Sequence, residues 1–320
     1  MNPNNSLPKY LHHFSHLKRD RKNGGAPHKP ILLLSVIRMF EKGVFRDRRI
    51  EIIPELVASF NSHWAQLVTT NHHKIFALPF YHMRSEPFWK LIANPGCDKW
   101  IDSKGSMRTF GNLTTAVQCA VIDDDLVELL RNPETRDVLK VGLLDKYFGS
   151  NVFEAIEDDL PDASILHESS EAYREKILHL KKNADDNLFQ EEIFIRSGIF
   201  KREIPKLYNF TCAISGMRLD ATSNVSMIDA CHIVPFSESY DDTIPNGIAL
   251  TPTLHRAFDR GLISISDDYR VIVLSKFTEN RNSPFNLSQF HLQEIILPED
   301  AKFHPSLENL QIHRQNSSLD

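Results

Sequence analysis

The stretch "MIDACHIVPFSESYDDTIPNGIALTPTLHRAFDRG", residues 227–261, sets His232, Asn246 and His255 among apolar neighbours such as Ile233, Val234, Ile248 and Leu250. Groups that move protons or hold cations are costly in such surroundings unless they are partnered. Hydrolysis of a phosphodiester calls for these residue types: a base for water, a cation for the phosphate and the leaving oxygen, and an orienting group. The imidazole of His232 can accept a proton near neutrality. His255 and Asp259 are four residues apart, so on a helix they share one face. With Asp229 from the preceding strand they can hold one divalent ion and leave positions open. Asn246, followed by Gly247, suits a tight loop whose amide braces the backbone beside His232. A single histidine in an apolar strand is most often a satisfied core residue. Three polar positions at these spacings argue instead for a metal-dependent hydrolytic site.

Local signals place these residues. "MIDACHIVP" reads as a strand, "SESYDDTIPNG" as a loop, and "TPTLHRAFDRG" as a helix with Thr251 at its cap and Gly261 at its end. "CAISG", "GLISIS" and "RVIVLS" read as further short strands. The first half reads differently. "PILLLSVIRMFEKG" has a helix start at Pro30 and a stop at Gly43. "EIIPELVASFNSHWAQLV" is helical after its proline, and "DDDLVELLRNPETRDVLKVGLLDKYF" makes two helices parted at Asn132-Pro133. Short strands are expected around "KIFALPFYHM" and "SMRTFGNL". Residues 154–186 are acidic and polar. The expectation is an α+β chain with a mainly helical domain over 1–150, an acidic, partly helical linker over 151–185, and a second domain over 186–320.

The 320 residues suffice for two domains, and 41% hydrophobic with 25% charged residues is ordinary for a globular protein. The apolar run "ILLLSVI" falls far short of the roughly 18 to 20 residues that span a bilayer. The N-terminal stretch has no apolar signal-peptide core, so a cytoplasmic location is expected, with no membrane partner. Cys97, Cys119, Cys212 and Cys231 never form a CxxC pair, which argues against a zinc ribbon or a disulfide framework; Cys231 reads as a packing residue. The net charge of -5 is unevenly spread: residues 1–50 carry 11 Lys/Arg against 3 Asp/Glu, and residues 111–190 carry 8 against 17. That basic end favours an anionic partner. Within it, His28 and Lys29 lie at the mouth of the Pro30 helix, where free N–H groups favour a phosphate, and Gly24 and Gly25 permit close approach; an ordinary helix start with a solvated basic loop accounts for these residues equally well.

"DACHIVP…NGIALTPTLHRAFDRG", with "YNFTCAISG" upstream, resembles the HNH, or ββα-metal, nuclease family. The resemblance implies that His232 is the general base, Asn246 the bracing residue and His255 a metal ligand, with Asp229 where Glu is usual. It implies a divalent ion such as Mg2+ or Mn2+. "GGAPHKPILLL", "ALPFYHMRSEPFWKL" and "LVELLRNPETRDVLKVGLLDKYF", over about residues 8–150, are similar to the sulfur-binding domain of McrA-like, phosphorothioate-dependent restriction endonucleases. By that resemblance double-stranded DNA with a sulfur-modified backbone is the partner. His28 and Lys29 then grip the modified phosphate, and Leu78, Pro79, Phe80 and His82 build an apolar cup for sulfur. Arg108 contacts a base or phosphate in the groove. Sulfur is larger and less strongly hydrated than oxygen, so it gains from a cup that penalises a phosphate oxygen. A double-strand break by a single-site module suggests a homodimer or two binding events. The alternatives are an HNH endonuclease triggered by another modification or DNA structure, and a DNA-binding regulator with a vestigial HNH fold.

Overall fold

The computed structural model describes residues 6–21, 24–102, 107–149, 163–219, 226–275, 277–280 and 283–318. The chain divides into two compact units, Met1–Pro161 with Ala184–Ile195, and Asp162–Asn183 with Arg196–Asp320. These bounds differ from the sequence reading: residues 163–183 of the expected linker belong to the second unit, and 184–195 to the first. Residues 151–162 lie outside the described residues.

In the first unit the elements run α1 (Leu7–Ser15), α2 (His28–Glu41), β1 (Arg49–Glu51), α3 (Pro54–Leu67), α4 (Ala77–His82), β2 (Trp89–Ala93), α5 (Asp98–Asp102), α6 (Phe110–Ala116), β3 (Val117–Ile122), α7 (Asp124–Arg131) and α8 (Pro133–Tyr147). Helix α2 is apolar nearly all round, the mark of a helix buried on every side; α3, α4, α7 and α8 pack against it. The sheet is antiparallel in the order β1-β3-β2, with Ile50 and Leu91 both opposite Ala120. Helices α7 and α8 part at Asn132, whose side chain accepts hydrogen bonds from the N–H groups of Glu134 and Thr135 at 2.9 and 3.3 Å.

Two predicted strands are helices. "KIFALPFYHM" contains α4 because Pro79 falls in its first turn, where a missing N–H costs nothing, and because Phe76 and Phe80 are fully buried. In "SMRTFGNL" the hydroxyl of Thr109 accepts from Asn112 N–H at 3.2 Å and starts α6. Residues 103–106 lie outside the described residues.

The second unit holds α9 (Ser170–Asn183), the part of α10 (Asp186–Leu207) from Arg196 onward, β4 (Asp229–His232), α11 (Phe236–Ser239), β5 (Gly247–Leu250), α12 (Pro252–Asp259), β6 (Ile263–Ile265), β7 (Val271–Val273) and α13 (Leu307–Ser318). Strands β4 and β5 pair antiparallel, Asp229 opposite Leu250 and His232 opposite Gly247. Helix α12 packs across β4, β5 and β6, and β6 pairs with β7. "CAISG" is not a strand but a turn, with Gly216 at φ +68°. Gly247 is required by close approach: a Cβ there would stand 2.4 Å from Ile204 and 2.9 Å from Phe200 on α10.

Candidate active site and first-unit cavity

Strand β4 alternates its side chains, so Asp229 and Cys231 share one face and His232 takes the other. His232 is 21% exposed and stacks on Phe200, with ring centroids 4.0 Å apart and planes at 6°. Its Nε2 lies 2.8 Å from Oδ1 of Asp242, whose side chain is 1% exposed. A carboxylate can only accept, so Nε2 carries the proton and Nδ1 is the ring nitrogen left to take one. The other oxygen of Asp242 accepts from the Tyr173 hydroxyl at 3.1 Å. Burial and the neighbouring Asp242 raise the Tyr173 phenol above its ordinary range, keeping it a donor. Neither Asp242 nor Tyr173 was found from the sequence, although "SYDDT" is an acidic pair beside apolar segments.

Asn246 is fully buried. Its Nδ2 donates to the carbonyls of Val234 and Asp241, each at 2.9 Å, and its Oδ1 accepts from Val234 N–H at 2.9 Å. This amide ties the segment after His232 to the loop carrying Asp242. The structure thus joins His232 and Asn246 through backbone rather than by side-chain contact.

His255 stands between two carboxylates. Its Nδ1 is 3.3 Å from Asp229 and its Nε2 is 3.4 Å from Asp259. Asp259 also lies 3.7 Å from the Cys231 sulfur. Donor atoms of Cys231, His255 and Asp259 all fall within 4.8 Å of one another, a spacing that fits a divalent ion. Cys231 is fully buried, and burial with the nearby Asp259 and Asp229 pushes its thiol well above the ordinary range. The sequence reading differs on two points: Cys231 belongs to the donor cluster, and Asp229 faces the ring nitrogen opposite Asp259. His232 and Asp259 line one small cavity of about 280 Å³.

In the first unit, His28, Lys29, Leu78, Pro79 and His82 line a single cavity of about 630 Å³, together with Lys18 and Arg19. Phe80 is not among the lining residues; it is fully buried, edge-on to Trp89 at 5.4 Å. Nor is Arg108, which is exposed, although its charge with those of Lys29 and Arg84, added to burial, lowers the His82 pKa. Lys29 is not the free cation expected. It is 5% exposed, and its ammonium contacts Glu86 at 2.5 Å and Ser85 at 2.8 Å. A buried pair of this kind costs roughly 3–5 kcal/mol to break from one side. His28 meets the carbonyl of His73 through Nε2 at 2.8 Å and sits edge-on to Trp64. Burial lowers its pKa, favouring the neutral imidazole.

The family comparison agrees with the second unit's geometry. Residues 212–266 match the HNH endonuclease family. They form an HNH endonuclease domain. The HNH segment spans Cys212 through β6 and contains every residue of the His232 and His255 clusters apart from Tyr173 and Phe200. The chain is similar to a solved structure described as a modification dependent TagI restriction endonuclease, at 20% identity and a TM-score of 0.28. The match covers 38% of this chain and 38% of that one. No curated protein matches the chain. The fold is α+β, and no helix among the described residues is long and apolar enough to cross a membrane.

Proposed function

We propose that this chain is a modification-dependent DNA endonuclease whose HNH site hydrolyses backbone phosphodiesters near a phosphorothioate read by the first unit. The observation that carries the catalytic part is the His232–Asp242 contact, because it fixes the tautomer that a base requires. With Nε2–H committed to Asp242, Nδ1 takes the proton from attacking water. Asn246 holds the backbone on which this alignment depends. His255 and Asp259 would hold a divalent ion, which when bound would supply positive charge for the scissile phosphate and the leaving oxygen. Phe200 covers one face of His232 and limits its rotation.

The convergence of His28, Leu78, Pro79 and His82 on one cavity supports the sulfur reading. Leu78 and Pro79 offer apolar wall, and the neutralised Lys29–Glu86 pair adds no net charge. A weakly hydrated sulfur loses little on entering such a place, whereas a phosphate oxygen gives up strong hydration. Lys18 and Arg19 supply positive charge at the same cavity. The test uses full-length His232→Ala, which leaves the first unit untouched. It should bind a phosphorothioate duplex more tightly than its oxygen twin, and Pro79→Asp in the same background should erase the difference. Equal binding of the twins by His232→Ala removes the sulfur reading and leaves the nuclease reading standing.

A further inference from the structure

We infer that the HNH cation is held by a sulfur-containing donor set, Cys231 Sγ, His255 Nε2 and Asp259, which selects a borderline transition ion such as Zn2+ or Co2+ over Mg2+. This rests on the nuclease reading and specifies its metal. In a tetrahedral shell with bonds of about 2.0–2.3 Å, neighbouring donors lie about 3.3–3.8 Å apart. Asp259 reaches the two partners through different oxygens, Oδ2 at 3.4 Å from His255 Nε2 and Oδ1 at 3.7 Å from Cys231 Sγ, so its carboxylate lies between them at separations close to edges of that shell. All three donors lie within 4.8 Å. Three protein ligands is also the count of sites that keep a fourth position open.

Asp229 plays another part. An ion bound at Nε2 leaves Nδ1 of His255 to a second partner, and Asp229 is there at 3.3 Å. A ligating histidine commonly donates its other N–H to a carboxylate, which fixes ring orientation and strengthens the ligand. The pleat explains how one strand serves both needs: Asp229 and Cys231 lie two apart on the face toward α12. Thiolate and imidazole together favour Zn2+ and its relatives, whereas Mg2+ prefers oxygen donors and keeps its waters. On binding, the thiol proton passes to solvent and the sulfur lone pair takes its place in the metal bond.

The test is titration of the full-length protein with Co2+ under argon, read by absorption rather than cleavage. The wild type should show visible d–d bands and a near-ultraviolet sulfur-to-cobalt charge-transfer band. Cys231→Ser and Cys231→Ala should keep the visible bands, altered, and lose the near-ultraviolet one. Asp229→Asn should keep both but weaken Co2+ affinity by about 10–100-fold. Cys97, Cys119 and Cys212 remain in every variant, so a band persisting without Cys231 would arise from them and overturn the assignment. Visible bands without the near-ultraviolet band in the wild type would also overturn it while leaving the metal-dependent nuclease reading intact. No cobalt binding at all would overturn both.

Discussion

A histidine serves as a base when one ring nitrogen is free of its proton and the ring is held; at His232 both conditions are met by Asp242. Asp242→Asn keeps a similar shape but removes the charge and permits the wrong tautomer. Cleavage should fall roughly 10²–10⁴-fold with DNA affinity unchanged, measured as single-turnover rate beside equilibrium binding. Matched losses of rate and affinity would make Asp242 part of the scaffold alone. The polar triplet His232, Asn246 and His255 was legible because each type is expensive in an apolar segment. Asp242 was not, because Asp241 beside it looks the same in sequence. Only the fold separates them: Asp241 accepts from Thr243 N–H at 2.8 Å, and Asp242 turns to His232. Tyr173 lies 69 residues from Asp242, and no local spacing could join the two. Cys231 was read as packing because burial and ligation look alike until its neighbours across the strand are known.

Elements with a long periodic face, such as α2, α3, α7 and α8, were legible, and so was α12 from its cap and stop. Short elements were less so. Helix α4 has strand-like composition, and its conformation is decided by Pro79 and by tertiary contact. One of those contacts is Glu191 of α10, which accepts Phe76 N–H at 3.1 Å at the start of α4. Burial pushes the Glu191 carboxyl up to about 7. The folded chain therefore holds a proton that the unfolded chain releases near its ordinary value, 4.5. Its contribution to stability is full below about 4.5 and is lost as pH rises through about 7. Glu191→Gln retains an acceptor for Phe76 without this loss. The variant should exceed the wild type in stability by about 3 kcal/mol at pH 8, and the gap should close below about pH 4.5. Thermal melts across pH check this; parallel curves would contradict it. In the second unit, Gly247→Ala should cost about 1–3 kcal/mol by overpacking against Ile204 and Phe200. It should also slow cleavage by moving Phe200 off His232, which chemical denaturation and a cleavage assay would register.

At the scale of the molecule, the division into a basic, helical first half and a strand-bearing second half was visible in charge and pattern, but its bounds were not. The acidic stretch read as a linker includes α9, which sends Tyr173 to Asp242 beside His232, and residues 184–195 return to the first unit. The net value of -5 conceals a local charge: Lys18 and Arg19 line the first unit's cavity, with Lys29 committed to Glu86. The proposed division, recognition by one unit and hydrolysis by the other, predicts that cleavage depends on an atom the HNH site never touches. The direct measurement is digestion of two duplexes of identical sequence that differ by a single backbone sulfur, each with Co2+, Mn2+ or Mg2+. The sulfur duplex should be cut and its oxygen twin left intact; cleavage of both at equal rates would contradict modification dependence.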